Sequence, residues 1–102
     1  MFKSILLLLV LSATTLVLGQ NWQAFTDSIP TLSSARACDL NNDGIKDIVL
    51  GGGTDGVASN NGIMAYNGLN GNLLWKRAAR NEVFGSAVFM DITNDGIKDV
   101  FM

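Results

Sequence analysis

The chain contains no histidine. That absence removes Ser-His-Asp and Cys-His catalytic machinery, and histidine-based zinc sites, from what these residues can build. Cys38 is the single cysteine, so no disulfide can form within one chain. Small exported domains with too little core usually rely on disulfides, and this one must be held together by other means. Basic residues are scarce: seven Lys and Arg stand against nine Asp and Glu, a formal net charge of −2. Nucleic-acid binding wants a basic footprint, and none is present; Lys76, Arg77 and Arg80 form only a small cluster that reads as a solvated connector. No apolar run approaches the roughly 20 residues needed to span a bilayer.

The one extended apolar run lies at the N-terminus. Lys3 precedes residues 5–18, which are apolar except around Ser12, Ala13, Thr14 and Thr15, and Gly19 supplies a small residue before the polar Gln20 and Asn21. This is the pattern of a secretory signal peptide, with cleavage expected after Gly19. No cysteine lies near the cut, which argues against a lipid anchor. Removing residues 1–19 leaves 83 residues and takes one cation away, so the formal charge becomes −3. The expected location is secreted, periplasmic or cell-surface, with no transmembrane span in the mature chain.

Six of the nine acidic residues fall in two short stretches. The first is Asp39-Leu40-Asn41-Asn42-Asp43-Gly44-Ile45-Lys46-Asp47, followed by Ile48-Val49-Leu50. The second is Asp91-Ile92-Thr93-Asn94-Asp95-Gly96-Ile97-Lys98-Asp99, followed by Val100-Phe101-Met102. Oxygen-bearing side chains occupy positions 1, 3, 5 and 9 of each, and glycine occupies position 6. A hard cation takes six to eight oxygen ligands, and alternate residues of a tight loop can point inward together. Glycine permits the sharp turn because it tolerates positive φ. Position 7 would lend only a backbone carbonyl, which leaves the Ile45 and Ile97 side chains free to enter the core. The metal ligands read from this spacing are Asp39, Asn41, Asp43, Ile45 and Asp47, and Asp91, Thr93, Asp95, Ile97 and Asp99, with Ca²⁺ as the ion. Thr93 offers a neutral hydroxyl where the first copy has an amide, so the second site is expected to bind less tightly. Two ions would bring the mature charge to +1.

The flanks decide the kind of loop. An EF-hand needs a bidentate Glu at position 12 and helices on both sides. Here position 12 is Leu50 or Met102, and the flanks are apolar and β-branched, which reads as strand. A dockerin-like module, which also pairs such loops, wants helices and a much shorter spacing. A plain polar hairpin turn is the bland reading of a single copy; the second copy weighs against it.

The remaining segments read as strands at residues 32–38, 48–50, 63–66, 73–75 and 83–90. A surface loop is expected at 54–61 and a connector at 76–81. Asn67-Gly68 and Asn70-Gly71 are hairpin signals, with glycine supplying positive φ. Trp22 and Phe25 suggest a strand or an anchoring segment, and Pro30 marks a boundary. Cys38 sits where the second copy has Met90, and reads as an apolar core position. The two copies are offset by 52 residues, with Ser34-Ala35 falling on Ser86-Ala87 and residues 42–47 matching 94–99 without a mismatch. A period near 50 with four strand signals per unit reads as a β-propeller blade.

The segment from Phe84-Gly85-Ser86-Ala87 through Asp91, Asp95-Gly96 and Asp99-Val100 resembles the FG-GAP repeat of integrin α-subunit propellers and their bacterial relatives. The first copy keeps the loop but has Leu32-Ser33 where the Phe-Gly pair would be. Residues 63–75, ending in Leu74-Trp75, are also similar to the hairpin and closing Trp of quinoprotein-type (PQQ-like) propeller repeats. Together the resemblances cover residues 32–102. They imply an all-β fold: a partial β-propeller of about one and a half four-stranded blades, one blade repeat at 32–83 and the start of the next at 84–102. A propeller needs about four to eight blades to close, so the remaining blades are expected from a longer chain. The implied function is a secreted calcium-binding scaffold that meets a protein or carbohydrate through its loops, with calcium structural. The alternative is a piece of a propeller enzyme, a PQQ-type dehydrogenase or a calcium-dependent polysaccharide lyase. No catalytic constellation is visible, since Asp27, Asp55 and Glu82 stand apart from one another.

Overall fold

The computed structural model describes residues 21–102, so the expected signal peptide lies outside the described residues. Within them the chain is all-β, with no helix. Six strands follow in order: β1 (Arg36–Cys38), β2 (Asp47–Gly51), β3 (Ser59–Tyr66), β4 (Leu73–Ala79), β5 (Val88–Met90) and β6 (Asp99–Phe101). The first four make an antiparallel meander in the order β1-β2-β3-β4, and β5 and β6 make a separate antiparallel pair. The two halves repeat one another: Arg36 faces Val49 across β1–β2, and Val88 faces Phe101 across β5–β6, each 52 residues further on.

Alternation explains the burial. On β2, Asp47, Val49 and Gly51 are buried while Ile48 and Leu50 are half-buried. Val49 and Ala65 form the core with Ala87 of the second half, and Leu40, Ile63, Leu74, Trp75, Phe89 and Val100 pack against them. Ala87, just before β5, and Phe89 and Val100 of the β5–β6 pair thus join a core shared with the four-stranded sheet. The opposite face of β3 carries Met64 and Tyr66, both buried. The segment before Pro30 covers that side. The Tyr66 hydroxyl donates to the Phe25 carbonyl at 3.4 Å, and the Trp22 indole N–H donates to the Gly68 carbonyl at 2.8 Å. Trp22 and Phe25 thus anchor the sheet without forming a strand of their own.

Two expectations need correcting. The loop expected at 54–61 ends early, because β3 begins at Ser59. The connector expected at 76–81 is mostly strand, because β4 runs on to Ala79. Both follow from one pairing: Ser59 lies opposite Ala79, Ile63 opposite Arg77, and an irregularity falls between them. Asn and Gly are depleted in strands, so residues 59–62 read as loop from sequence. Gly62 is instead a strand glycine at a close approach, where a Cβ would overlap Ala79. Lys76 and Arg77 face solvent on this outer strand, and the Arg77 guanidinium lies 5.9 Å from the Trp75 ring centroid. Charged side chains on an edge strand discourage pairing with other chains.

β1 and β5 are shorter than the expected 32–38 and 83–90. Among the paired hairpin glycines only Gly71 has positive φ, at 77°. Gly68 has another role, described below. Cys38 is half-buried rather than core, and its counterpart Met90 is 55 % exposed.

Candidate functional site

The two nine-residue loops join β1 to β2 and β5 to β6, and they fold alike. Position 4 takes a left-handed backbone in each, with φ of 61° at Asn42 and 59° at Asn94. Asparagine tolerates that region better than most residues. Position 6 is also left-handed, with φ of 83° at Gly44 and 86° at Gly96. These two reversals curl the loop so that its backbone N–H groups point inward.

The side chains at positions 1, 5 and 9 accept from those N–H groups in the same way in both copies. Gly44 N–H donates to Asp39 Oδ2 at 2.8 Å, and Gly96 N–H to Asp91 Oδ2 at 2.9 Å. Ile45 N–H donates to Asp43 Oδ1 at 2.9 Å, and Ile97 N–H to Asp95 Oδ1 at 2.9 Å. Leu40 N–H donates to Asp47 Oδ2 at 2.8 Å, and Ile92 N–H to Asp99 Oδ2 at 2.8 Å. Each loop is thus closed by its own carboxylates.

The copies differ at position 3. In the first, Asp39 Oδ1 and Asn41 Oδ1 converge on one donor, the Asp43 N–H, at 3.3 Å each. In the second, the Thr93 hydroxyl lies 3.5 Å from Asp91 Oδ1 and 3.3 Å from Asp99 Oδ2, drawing positions 1, 3 and 9 together. Ile45 is half-buried and approaches Gly68, whereas Ile97 is 39 % exposed. The expectation that both isoleucines enter the core is therefore not met by Ile97, which has no counterpart of the Gly68 turn beside it among the described residues.

Sequence reasoning missed the residues that support the first loop. Asp47 is fully buried, and its second oxygen, Oδ1, accepts the Gly68 N–H at 2.9 Å. Gly68 sits so close to the Lys46 carbonyl that a Cβ there would overlap it. Trp22 then closes over the same turn through its bond to Gly68 and its ring against Gly71. The Asn-Gly pairs mark a turn in the sequence, but nothing local says that the turn folds back onto residue 47.

The donor set suits a hard cation in kind. It is all oxygen, from carboxylates, an amide and a hydroxyl, with no thiolate or imidazole to favour zinc or copper. A carboxylate oxygen that accepts one N–H keeps a further lone pair. Among the described residues, however, no three Asp, Glu, Cys or His side chains gather as a ready metal cluster. The carboxylates rest on the loop backbone, so holding an ion requires Asp39 and Asp43, or Asp91 and Asp95, to share or redirect their oxygens.

Electrostatics of the loops favour the ionised state. Partial loss of hydration pushes the Asp39 carboxyl up, but the N–H groups of Gly44, Asp43, Asn42 and Asn41 outweigh it and hold the pKa below the ordinary 3.8. Asp91 is lowered too: hydration loss raises it, while Gly96, Asp95 and Asn94 N–H groups and the Asp95 side chain prevail. A carboxyl whose folded pKa is depressed stabilises the fold above its unfolded pKa, and that contribution disappears as pH falls through the lower folded value. In chelator, the thermal midpoint is therefore expected to fall with acid below about pH 4. The Asp39→Asn, Asp91→Asn double variant should flatten that fall; an unchanged slope would deny the role of these N–H groups.

Away from the loops, a cavity of about 150 Å³ on the other face of β3 involves Phe25, Asp27, Asn61 and Tyr66. Burial, with the nearby Asp27 charge, pushes the Tyr66 hydroxyl pKa up.

Comparison with protein-family models, curated proteins and solved structures gave no match for this chain.

Proposed function

We propose that this chain is a calcium-binding β-propeller unit of the FG-GAP type, part of an exported scaffold that binds protein or carbohydrate. The observation that supports it is the loop pair: one nine-residue pattern, offset by 52 residues, with matched backbone reversals and the same carboxylate-to-backbone bonds. A turn needs only one or two polar residues. Retaining three acids per loop, against their mutual repulsion, is accounted for by a divalent ion. Calcium would neutralise that charge and tie together the two strands that leave the loop. Asp39, Asn41, Asp43 and Asp47 would hold one ion, with the Ile45 carbonyl; Asp91, Thr93, Asp95 and Asp99 would hold another, with the Ile97 carbonyl. Stacking of one hairpin on the preceding sheet through Ala87, Phe89 and Val100 is consistent with neighbouring blades.

The role is structural. Extracellular calcium modules bind at about 10⁻⁴ to 10⁻³ M, which suits an exported protein. Titration calorimetry should resolve two sites of unequal strength. Asp43→Ala should weaken the first by at least about tenfold, since one carboxylate facing a divalent ion at ~4 Å is worth about 2 kcal/mol even in water. Thr93→Asp should strengthen the second by a similar factor. Calcium heats unaltered by both substitutions would remove calcium from the account.

A further inference from the structure

Three hydrogen bonds in series join the first loop to the segment before Pro30. Asp47 closes the loop by accepting the Leu40 N–H at 2.8 Å with one oxygen. Its other oxygen accepts the Gly68 N–H at 2.9 Å. The carbonyl of the same Gly68 accepts the Trp22 indole N–H at 2.8 Å, from 46 residues earlier in the chain. One glycine therefore holds the loop through its N–H and the N-terminal segment through its carbonyl.

Packing leaves this series little slack. Gly68 approaches the Lys46 carbonyl so closely that a Cβ would overlap it, and an Ile45 methyl lies just beyond. Gly71, with φ of 77°, lies against the Trp22 ring, where a Cβ would overlap the indole. The turn between the two glycines is closed on itself. The Gly71 N–H donates to the Asn67 carbonyl at 2.8 Å, and the Asn67 N–H to the Asn72 carbonyl at 2.7 Å. A displacement of Trp22 therefore reaches Gly68, and a displacement of Gly68 reaches Asp47. Because Asp47 is fully buried, these N–H groups set its orientation and bulk water does not.

We infer that Trp22 is a positioning residue for the first loop: resting on the calcium reading above, it holds Gly68 where the Gly68 N–H fixes the Asp47 carboxylate, and so strengthens that loop's grip on its ion. Trp22 offers no ligand atom itself. Its contribution is preorganisation, since a carboxylate left free to turn must be ordered again on binding, at a cost in affinity. Groups that orient a metal ligand without touching the metal commonly change affinity by about 10–100-fold. Coupling between two sites is reciprocal, so an ion in the first loop should in turn hold Trp22 on Gly68. The second loop closes on its own N–H groups among the described residues and serves as the control within the same molecule.

The test is calcium titration calorimetry on the full chain in two backgrounds. Asp95→Ala leaves the first loop to bind, and Asp43→Ala leaves the second. Trp22→Ala removes the indole N–H and the ring, whereas Trp22→Phe keeps a ring against Gly71 and removes only the donor. Circular dichroism checks that each variant is folded, and Trp22→Phe carries the comparison if Trp22→Ala is not. In the Asp95→Ala background, Trp22→Ala should weaken calcium binding about tenfold and Trp22→Phe by a smaller factor. In the Asp43→Ala background neither should alter it. Calcium should also slow solvent exchange of the Trp22 indole N–H, followed by NMR, in the Asp95→Ala protein and not in the Asp43→Ala protein. First-loop affinity untouched by the folded Trp22 variants, or both loops weakened alike, would overturn the inference. So would an indole N–H whose exchange ignores calcium bound at the first loop. A parent that takes up no calcium at either loop is a separate result, visible before any Trp22 variant is made: it removes the calcium reading, and this inference with it.

Discussion

Replacing Asp47 with alanine is expected to unfold the four-stranded sheet, or to leave it barely stable. Asp47 is completely buried, and both of its oxygens accept backbone N–H groups, from Leu40 at 2.8 Å and from Gly68 at 2.9 Å. Truncation leaves both donors without an acceptor. A buried donor stranded in this way costs about 1–3 kcal/mol, and more when the lost partner was charged. Two together come to about 2–6 kcal/mol, against a total stability of about 5–15 kcal/mol for an ordinary domain. The second repeat supplies the control. Asp99 is only half-buried and holds the Ile92 and Thr93 N–H groups, which water can reach. Asp99→Ala should cost about 1 kcal/mol, a typical net hydrogen bond. Urea unfolding followed by tryptophan fluorescence separates the two, because Trp75 lies in β4 and Trp22 rests against the Gly68–Gly71 turn, so both report on the first repeat. Equal losses in the two variants would show that burial of Asp47 does not set its importance.

Gly68→Ala is expected to be the next most damaging change. Its Cβ would collide with the Lys46 carbonyl oxygen, a backbone atom with no rotamer to retreat into, and would also meet the Ile45 side chain. Forcing extra volume into a packed site typically costs about 1–3 kcal/mol. Here the displacement also pulls the Gly68 N–H off Asp47, so the loss should reach the upper end of that range. Gly44→Ala is the informative comparison. Gly44 has φ of 83° but open space around it, so an added methyl costs only the left-handed backbone, about 1–2 kcal/mol. If denaturation midpoints rank Gly44→Ala as the worse change, the close approach of residue 68 to the first loop is not what holds it.

The legibility of this chain from sequence depends on distance along it. The loops were readable because their logic is local: alternating oxygens and a glycine within nine residues, repeated once. The all-β character followed from the β-branched flanks. What failed required partners far away in sequence. Residues 59–62 are too polar and glycine-rich to announce a strand, and they are one only because residues 77–79 lie alongside. Lys76 and Arg77 read as connector because the edge on which they sit is not visible until the sheet is assembled. Gly68 was credited with a turn conformation that belongs to Gly71, while its own requirement for a missing Cβ comes from Lys46, 22 residues earlier. Trp22 and Phe25, with little local pattern, turned out to brace the far side of β3.

The two-sided grip of Asp47 also sets an order of events as the chain folds. Its partners are seven residues behind it and 21 residues ahead. Among the described residues Asp99 holds only near partners, the Ile92 and Thr93 N–H groups seven and six residues behind it. The first loop cannot reach its final form until β3 has paired and the turn at Gly68 has arrived. The final form of the first loop therefore registers completion of the sheet around it.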